Sequence, residues 1–207
     1  DIRGKERLEG ITLAQVDSKG NPIPGTEEEY SCDTLLLSVG LIPENELSRG
    51  IGVDINPVTS GPRVNEGLET SVEGIFACGN VLHVHDLVDF VSEEAAIAGK
   101  NAAAYVKQGE SRTPGSRQII LNPVEGVRYT VPGTIDPLKM DEEVTVRFRV
   151  GGVYKNCYIS AYFEDQRVIH KKRQIVAPGE MEELKLKKTE LLNHSDLKTI
   201  TIQIEEA

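Results

Sequence analysis

Gly74-Ile75-Phe76-Ala77-Cys78-Gly79-Asn80 is the stretch whose reading decides the fold of the first half of this chain. It reads as a short apolar strand that ends in a glycine. Gly79 would let a phosphate or sugar come close to the backbone, and Asn80 offers a small polar side chain able to bond a hydroxyl. A helix beginning shortly afterwards would add unpaired N–H groups and partial positive charge. The same pattern also serves as ordinary strand-turn-helix punctuation, so on its residues alone both readings stay open.

The helix is expected over roughly 86–107, because Leu87, Val88, Val91, Ala95, Ala98, Ala102 and Val106 recur at steps of mostly three and four. Asp86 is placed to cap its start, and Lys107 suits its negative end. Ala95, Ala96, Ala98 and Gly99 leave little side chain on the middle turns, which predicts a close approach of another backbone. Between turn and helix, His83 and His85 stand two apart on an extended segment, so both imidazoles should point to one side. A metal would need a third or fourth ligand, and no Cys or His cluster supplies one, so no metal site is assigned. The pair serves either capping and packing or, as the weak candidates for catalysis, a polar or proton-donating contact. Cys78, between Ala77 and Gly79, reads as a small buried hydrophobe.

Upstream, Ile11, Leu13 and Val16 form a candidate strand that ends at the turn cluster 17–22. A return strand is expected over Glu28 to Val39, with Glu27, Glu28 and Glu29 as its solvated start. Its continuous run Leu35-Leu36-Leu37 suits a strand covered on both faces, as in a parallel sheet between helices. The chain opens at Asp1 and runs almost directly into this strand-like sequence, so a fragment of a longer polypeptide is expected. A Gly/Ser/Pro-rich segment, 108–117, reads as a linker and divides residues 1–110 from 118–207.

Beyond the linker the period becomes two. Val144, Val146, Phe148 and Val150 oppose Thr145, Arg147 and Arg149, and Ile200, Ile202 and Ile204 close the chain. Runs at 119–121, 127–131, 144–150, 159–163, 168–175, 184–186 and 200–204 give seven strands, which predicts an immunoglobulin- or fibronectin-like β-sandwich. His170-Lys171-Lys172-Arg173 is a basic run on one strand, read as a solvated face toward the acidic first half.

Composition narrows the function. Residues 1–117 hold 10 basic and 19 acidic residues, net −9, and residues 118–207 hold 13 and 14, net −1, which together make the chain total of −10. With no basic stripe to displace counterions, nucleic acid is excluded as a partner. No apolar run approaches a membrane span and no leader is visible, so a cytoplasmic location is expected. Cys32, Cys78 and Cys157 are too far apart for a redox dithiol or zinc knuckle.

Thr70-Ser71-Val72-Glu73-Gly74-Ile75-Phe76-Ala77-Cys78-Gly79-Asn80 resembles the second FAD-contacting motif of the pyridine nucleotide-disulfide oxidoreductase superfamily, T-x-x-x-G-(I/V)-(Y/F)-A-x-G-D. Cys32 to Pro43 is similar to the strand-Gly-x-x-Pro segment that returns from the NAD domain of such proteins to the FAD domain. The chain thereby resembles the C-terminal part of an FAD/NAD-dependent dehydrogenase with an extra C-terminal β domain, of the kind that accompanies glycerol-3-phosphate or amine oxidation. The resemblance implies an incomplete α/β FAD/NAD(P)-binding region, 1–110, followed by the sandwich. It also implies cofactor contacts at Gly79, Asn80, Val84, His85, Asp86 and Leu87.

Asn80 stands where the family pattern has Asp, and can still accept and donate a hydrogen bond without charge. No G-x-G-x-x-G fingerprint occurs, so the resemblance implies that both phosphate loops lie upstream of Asp1. The intact parent is then expected to bind FAD and NAD(P) and to exchange hydride between NAD(P)H and a partner or small substrate. The fragment alone is expected to bind no cofactor tightly and to be inactive. Its Leu-rich strand and Ala/Gly helix, left uncovered, predict a homo-oligomer or a partner subunit. The alternative is a non-catalytic assembly module with the β-sandwich as its docking domain.

Overall fold

In a computed structural model, residues 1–37, 40–108 and 117–206 are described. They divide into two compact units, Asp1–Gly40 and Leu41–Ala207.

The first unit holds three short antiparallel strands, β1 (Ile2–Arg3), β2 (Gly10–Leu13) and β3 (Glu28–Tyr30), in the order β1-β2-β3. The return strand is much shorter than its sequence predicts. Glu28–Tyr30 pairs with β2, but residues 31–37 leave the sheet, and Leu36 and Leu37 are exposed. A continuous apolar run becomes a strand only where neighbours bond its backbone and cover both faces. Val39, its expected end, lies outside the described residues.

The second unit opens with a one-turn helix α1 (Glu46–Gly50), continues through turns and isolated bridges to a 3₁₀ turn at Gly79–Val81, and reaches the long helix α2 (Val88–Gln108). The strand expected over 74–78 is reduced to a single bridge between Glu69 and Phe76. Helix α2 starts two residues later than expected, and its packed face is rotated. Val91, Glu94 and Ala98 turn inward, whereas Leu87, Val88, Ala95 and Val106 are exposed. The small-residue face does not receive the predicted backbone: a Cβ added at Gly99 would meet no heavy atom within 4 Å. Of the expected linker, residues 109–116 lie outside the described residues.

The β-rich region holds β4 (Ile119–Pro123), β5 (Val127–Val131), β6 (Thr134–Ile135), β7 (Glu143–Val150), β8 (Tyr154–Phe163), β9 (Gln166–Val176), β10 (Glu182–Lys187), helix α3 (Lys188–Leu192) and β11 (Thr199–Glu206). These eight strands exceed the seven expected by one. The extra strand is β6, just after Pro132-Gly133, where the sequence reads as a turn. One sheet runs β10-β7-β5 and the other β6-β4-β11-β8-β9, with β11 parallel to β4 and the other neighbours antiparallel. Both sheets feed one apolar cluster, including Ile119, Val146, Phe148, Ile159, Ile200 and Ile202. Each fully buried side chain of this size contributes about 1.5–3 kcal/mol, so this cluster dominates the stability of the region.

The outer face of β7 is not solvated along its middle. Arg147 is 5% exposed, because a second cluster, Val64, Leu68, Ala77, Leu82 and Ala98 with Tyr129 and Val131 of β5, brings residues 64–98 against this sheet. The Gly133 N–H donates to the Val64 carbonyl and the Asp136 N–H to the Glu66 carboxylate, each at 2.9 Å. The basic run 170–173 lies on β9, at the end of its sheet. Its His170, Lys171 and Lys172 are exposed, whereas Arg173 is half-buried and pairs with Glu182 at 3.0 Å within the β-rich region. Among the described residues no helix is long and apolar enough to cross a membrane.

Candidate functional site

The turn after Cys78 is held from three directions. Cys78 is extended (φ −151°, ψ 163°) and Gly79 enters the left-handed region at φ +68°, where a side chain is strained. A Cβ at Gly79 would lie 3.1 Å from Val91 of α2. Buried Asn45 donates from Nδ2 to the carbonyls of Val81 (2.8 Å) and Ser60 (3.0 Å). Gly61 passes so close to Leu82 that a Cβ there would fall 1.6 Å from the Leu82 carbonyl oxygen, so only glycine fits.

This turn and α2 converge on one carboxylate. Glu94, 2% exposed, accepts the Gly79 N–H at 2.9 Å on Oε2. His83 Nε2 meets Oε1 at 2.8 Å and His85 Nε2 meets Oε2 at 2.9 Å. The imidazoles lie edge to face, 4.3 Å between ring centroids, and both side chains are 1% exposed. An ionised carboxylate only accepts, so each Nε2 carries the hydrogen of its bond to Glu94. Both Nδ1 atoms are buried with no hydrogen-bond partner among the described residues.

The electrostatics follow from this arrangement. Burial pushes the Glu94 carboxyl upward, but the bonds from His83 and His85 outweigh it and hold the group at about 2. Burial drives His83 below its usual range against the pull of Glu94, and His85 and Arg147 add to the lowering. His83 is therefore a neutral imidazole near pH 7. Burial, then the Glu94 charge, raises the Cys78 thiol, so this cysteine stays protonated, as a small apolar filler would.

The β-rich region completes the surroundings. Arg147 Nη1 lies 3.6 Å from Glu94 Oε1, Nε donates to Glu183 at 2.8 Å, Nη2 bonds Glu93, and the guanidinium sits 4.9 Å over the Phe90 ring. Arg149 donates to the Val84 carbonyl at 3.0 Å, and Tyr129 packs edge-on against His83 at 5.8 Å. Beside them a cleft of about 130 Å³, walled by Glu66, Glu93, Asn101, Lys139 and Arg147 among others, is smaller than the ~300 Å³ at which ligand pockets begin.

The structure brings His83 and His85 to one side, as their spacing implies. The third ligand-type group absent from the sequence reading is Glu94, which makes this a three-residue cluster able to face a metal. Its Nε2 and carboxylate atoms are engaged with one another and a guanidinium stands beside it, so it is described as a hydrogen-bonded triad. Asn80 is exposed and its Oδ1 accepts the His85 N–H at 3.1 Å. Asp86 does not cap α2: its carboxylate accepts the Met181 N–H at 3.1 Å and lies 3.4 Å from Arg149. Leu87 is 53% exposed. Sequence reasoning missed Glu94, Arg147, Arg149 and Asn45. For Glu94 a signal existed, a charged residue three after Val91 and four before Ala98, in phase with the apolar stripe.

Residues 5–105 match the family described as pyridine nucleotide-disulphide oxidoreductase. The chain is 29% identical over 134 residues to a dihydrolipoyl dehydrogenase of Trypanosoma brucei brucei, covering 61% of the chain and 26% of that protein. It is 33% identical over 87 residues to an NAD(P)H sulfur oxidoreductase (CoA-dependent) of Pyrococcus abyssi, covering 42% and 17%. To an NADH oxidase of Methanocaldococcus jannaschii it is 30% identical over 109 residues, covering 53% and 20%. The chain thus spans about a quarter or less of the curated relatives it matches. Residues 5–105 form part of a pyridine nucleotide-disulfide oxidoreductase superfamily domain, and a β-rich region is added after it.

Proposed function

We propose that this chain supplies one wall of the flavin site of an FAD-dependent oxidoreductase that exchanges hydride with NAD(P)H. On this reading residues 1–110 belong to the cofactor-binding region, 118–207 form an immunoglobulin- or fibronectin-like sandwich, and the phosphate-binding loops come from sequence outside these residues. The observation that carries the proposal is the turn at Gly79–Asn80, which lies inside the superfamily match and whose sequence resembles the motif that contacts FAD in that superfamily.

The residues present fit one side of such a group. Asn80 is exposed and offers a neutral amide to a sugar hydroxyl, while residues 84–87 run along the start of α2. The Gly79 and His85 N–H groups are already committed to Glu94 and Asn80, and the Val84 carbonyl and Asp86 carboxylate to Arg149 and the Met181 N–H, so these shape the turn, and cofactor contact falls to the Asn80 amide and the backbone N–H groups of Val84, Asp86 and Leu87. A bound flavin would supply the redox step, and this chain would position it. His83 and His85 would act as polar contacts held in place by Glu94, His83 through its Nδ1.

The test is the absorbance of the intact parent protein. A flavin spectrum bleached by NADH or NADPH is expected. A colourless, folded parent would overturn the proposal and leave the docking-module reading. The 207-residue chain alone is expected to purify without stoichiometric flavin.

A further inference from the structure

We propose that the outward face of β7 positions the Glu94–His83–His85 triad, with Arg147 as the positioning residue, so that the β-rich region is an integral wall of the site and not a separable module. Strand β7 turns Val144, Val146, Phe148 and Val150 into the sheet core and Thr145, Arg147 and Arg149 the other way. On a detached module that second face would meet water. Here it meets α2 and the 79–86 loop.

Arg147 is 5% exposed and its fork is fully engaged, by Glu183 from β10, by Glu93 and Glu94 from α2, and by the Phe90 ring. Removing Arg147 would take away the guanidinium beside the buried Glu94 carboxylate and leave it only the Gly79 amide and the two imidazoles. The planar fork also fixes direction. With Arg147 on the Oε1 side, Oε1 serves His83 while Oε2 serves His85 and the Gly79 N–H. The carboxylate orientation thus presents one oxygen to each imidazole and sets Nε2 as the nitrogen that holds hydrogen toward it. Two residues along the strand, Arg149 ties the Val84 carbonyl and Asp86, the outer limb of the same loop. Tyr129 of β5 closes over His83.

The experiment uses the 207-residue chain labelled with ¹⁵N. Long-range proton–nitrogen spectra report the tautomer of His83 and His85, and hydrogen exchange reports the Gly79 amide against the amides of β8. The wild-type chain is expected to show both imidazoles protonated at Nε2 and a protected Gly79 amide. In Arg147→Met, Gly79 exchange should rise at least tenfold while β8 stays protected, and the imidazoles should become tautomer mixtures. Arg147→Lys, which keeps the charge without the fork, should give a smaller rise of two- to fivefold with partial mixing. Wild-type tautomers and Gly79 exchange in a folded Arg147→Met would overturn the proposal. Should β8 also lose protection in that variant, Arg147→Lys decides, and wild-type values there would overturn it. Placing the triad beside a flavin rests on the proposed function, but the positioning does not: a colourless parent would refute the former and leave these spectra as they are.

Discussion

The backbone N–H of Gly79 donates to the carboxylate of Glu94 across 2.9 Å, although fifteen residues separate them in the chain. That bond closes the loop bearing His83 and His85 onto α2, and makes a helical glutamate the hub of three buried donors, one amide and two imidazoles, with a guanidinium 3.6 Å away. Removing the hub should therefore be costly.

Glu94→Ala leaves Arg147 as a buried cation short of one partner and the Gly79 N–H without its acceptor. Losing one member of a buried ion pair costs about 3–5 kcal/mol. Urea unfolding of the variant should show a loss of that order, with Glu94→Gln losing less because its amide oxygen can still accept. A loss below about 1 kcal/mol for Glu94→Ala would show the hub to be unimportant.

Stability should fall on acidification in two windows. His83 has a folded value below its unfolded one near 6.5, so the unfolded chain binds more protons between the two, and stability declines as pH drops below about 6.5. Glu94 is depressed from 4.5 to about 2, so its contribution is full above 4.5 and lost as pH falls through that range. The second window is worth about 3 kcal/mol, from 1.36 kcal/mol per pKa unit. Thermal melts at stepped pH should show both slopes in the wild type, and Glu94→Gln should lack the lower one.

Two glycine substitutions should move stability in opposite directions. Gly79→Ala forces a side chain into φ +68° and to within 3.1 Å of Val91, and should destabilise by about 1–2 kcal/mol. Gly99→Ala adds a methyl group to the middle of α2 where no atom lies within 4 Å, and should stabilise by about 0.5–1 kcal/mol. Equal and same-sign shifts in urea midpoint would contradict the described geometry.

Cysteine labelling should separate the three thiols. Cys157 is fully buried in the core between the two sheets, and Cys78 is half-buried and held protonated. A bulky maleimide at neutral pH should leave Cys157 unmodified in the native chain and react with all three only after unfolding. Rapid native labelling of Cys157 would mean that the core opens locally.

Apolar side chains left bare should drive association. Leu36, at 89% exposed, and Leu37 stand in the first unit, and Leu41, Ile42, Leu87 and Val88 in the second. Covering such surfaces contributes about 25 cal/mol per Å², so light scattering at high micromolar concentration is expected to report a dimer or larger species. A cooperatively melting monomer at that concentration would refute it.

Period-two alternation was enough to place seven of the eight described strands of the β-rich region, since a strand half buried against one core writes its inward face directly into the sequence: Val144, Val146, Phe148 and Val150 are where that pattern puts them. The turn at Gly79–Asn80 and the existence of α2 were equally legible, because a glycine stop and a three-four apolar rhythm are local signals. What the chain could not announce was anything requiring a second element to cover the first. Leu35-Leu36-Leu37 has strand composition without described partners to pair it. Arg147 and Arg149 have the look of a solvated face, and Glu94 that of a surface charge. Only tertiary packing, by laying α2 across the outer face of β7, took water away from these groups and left each other's charges as their remaining partners.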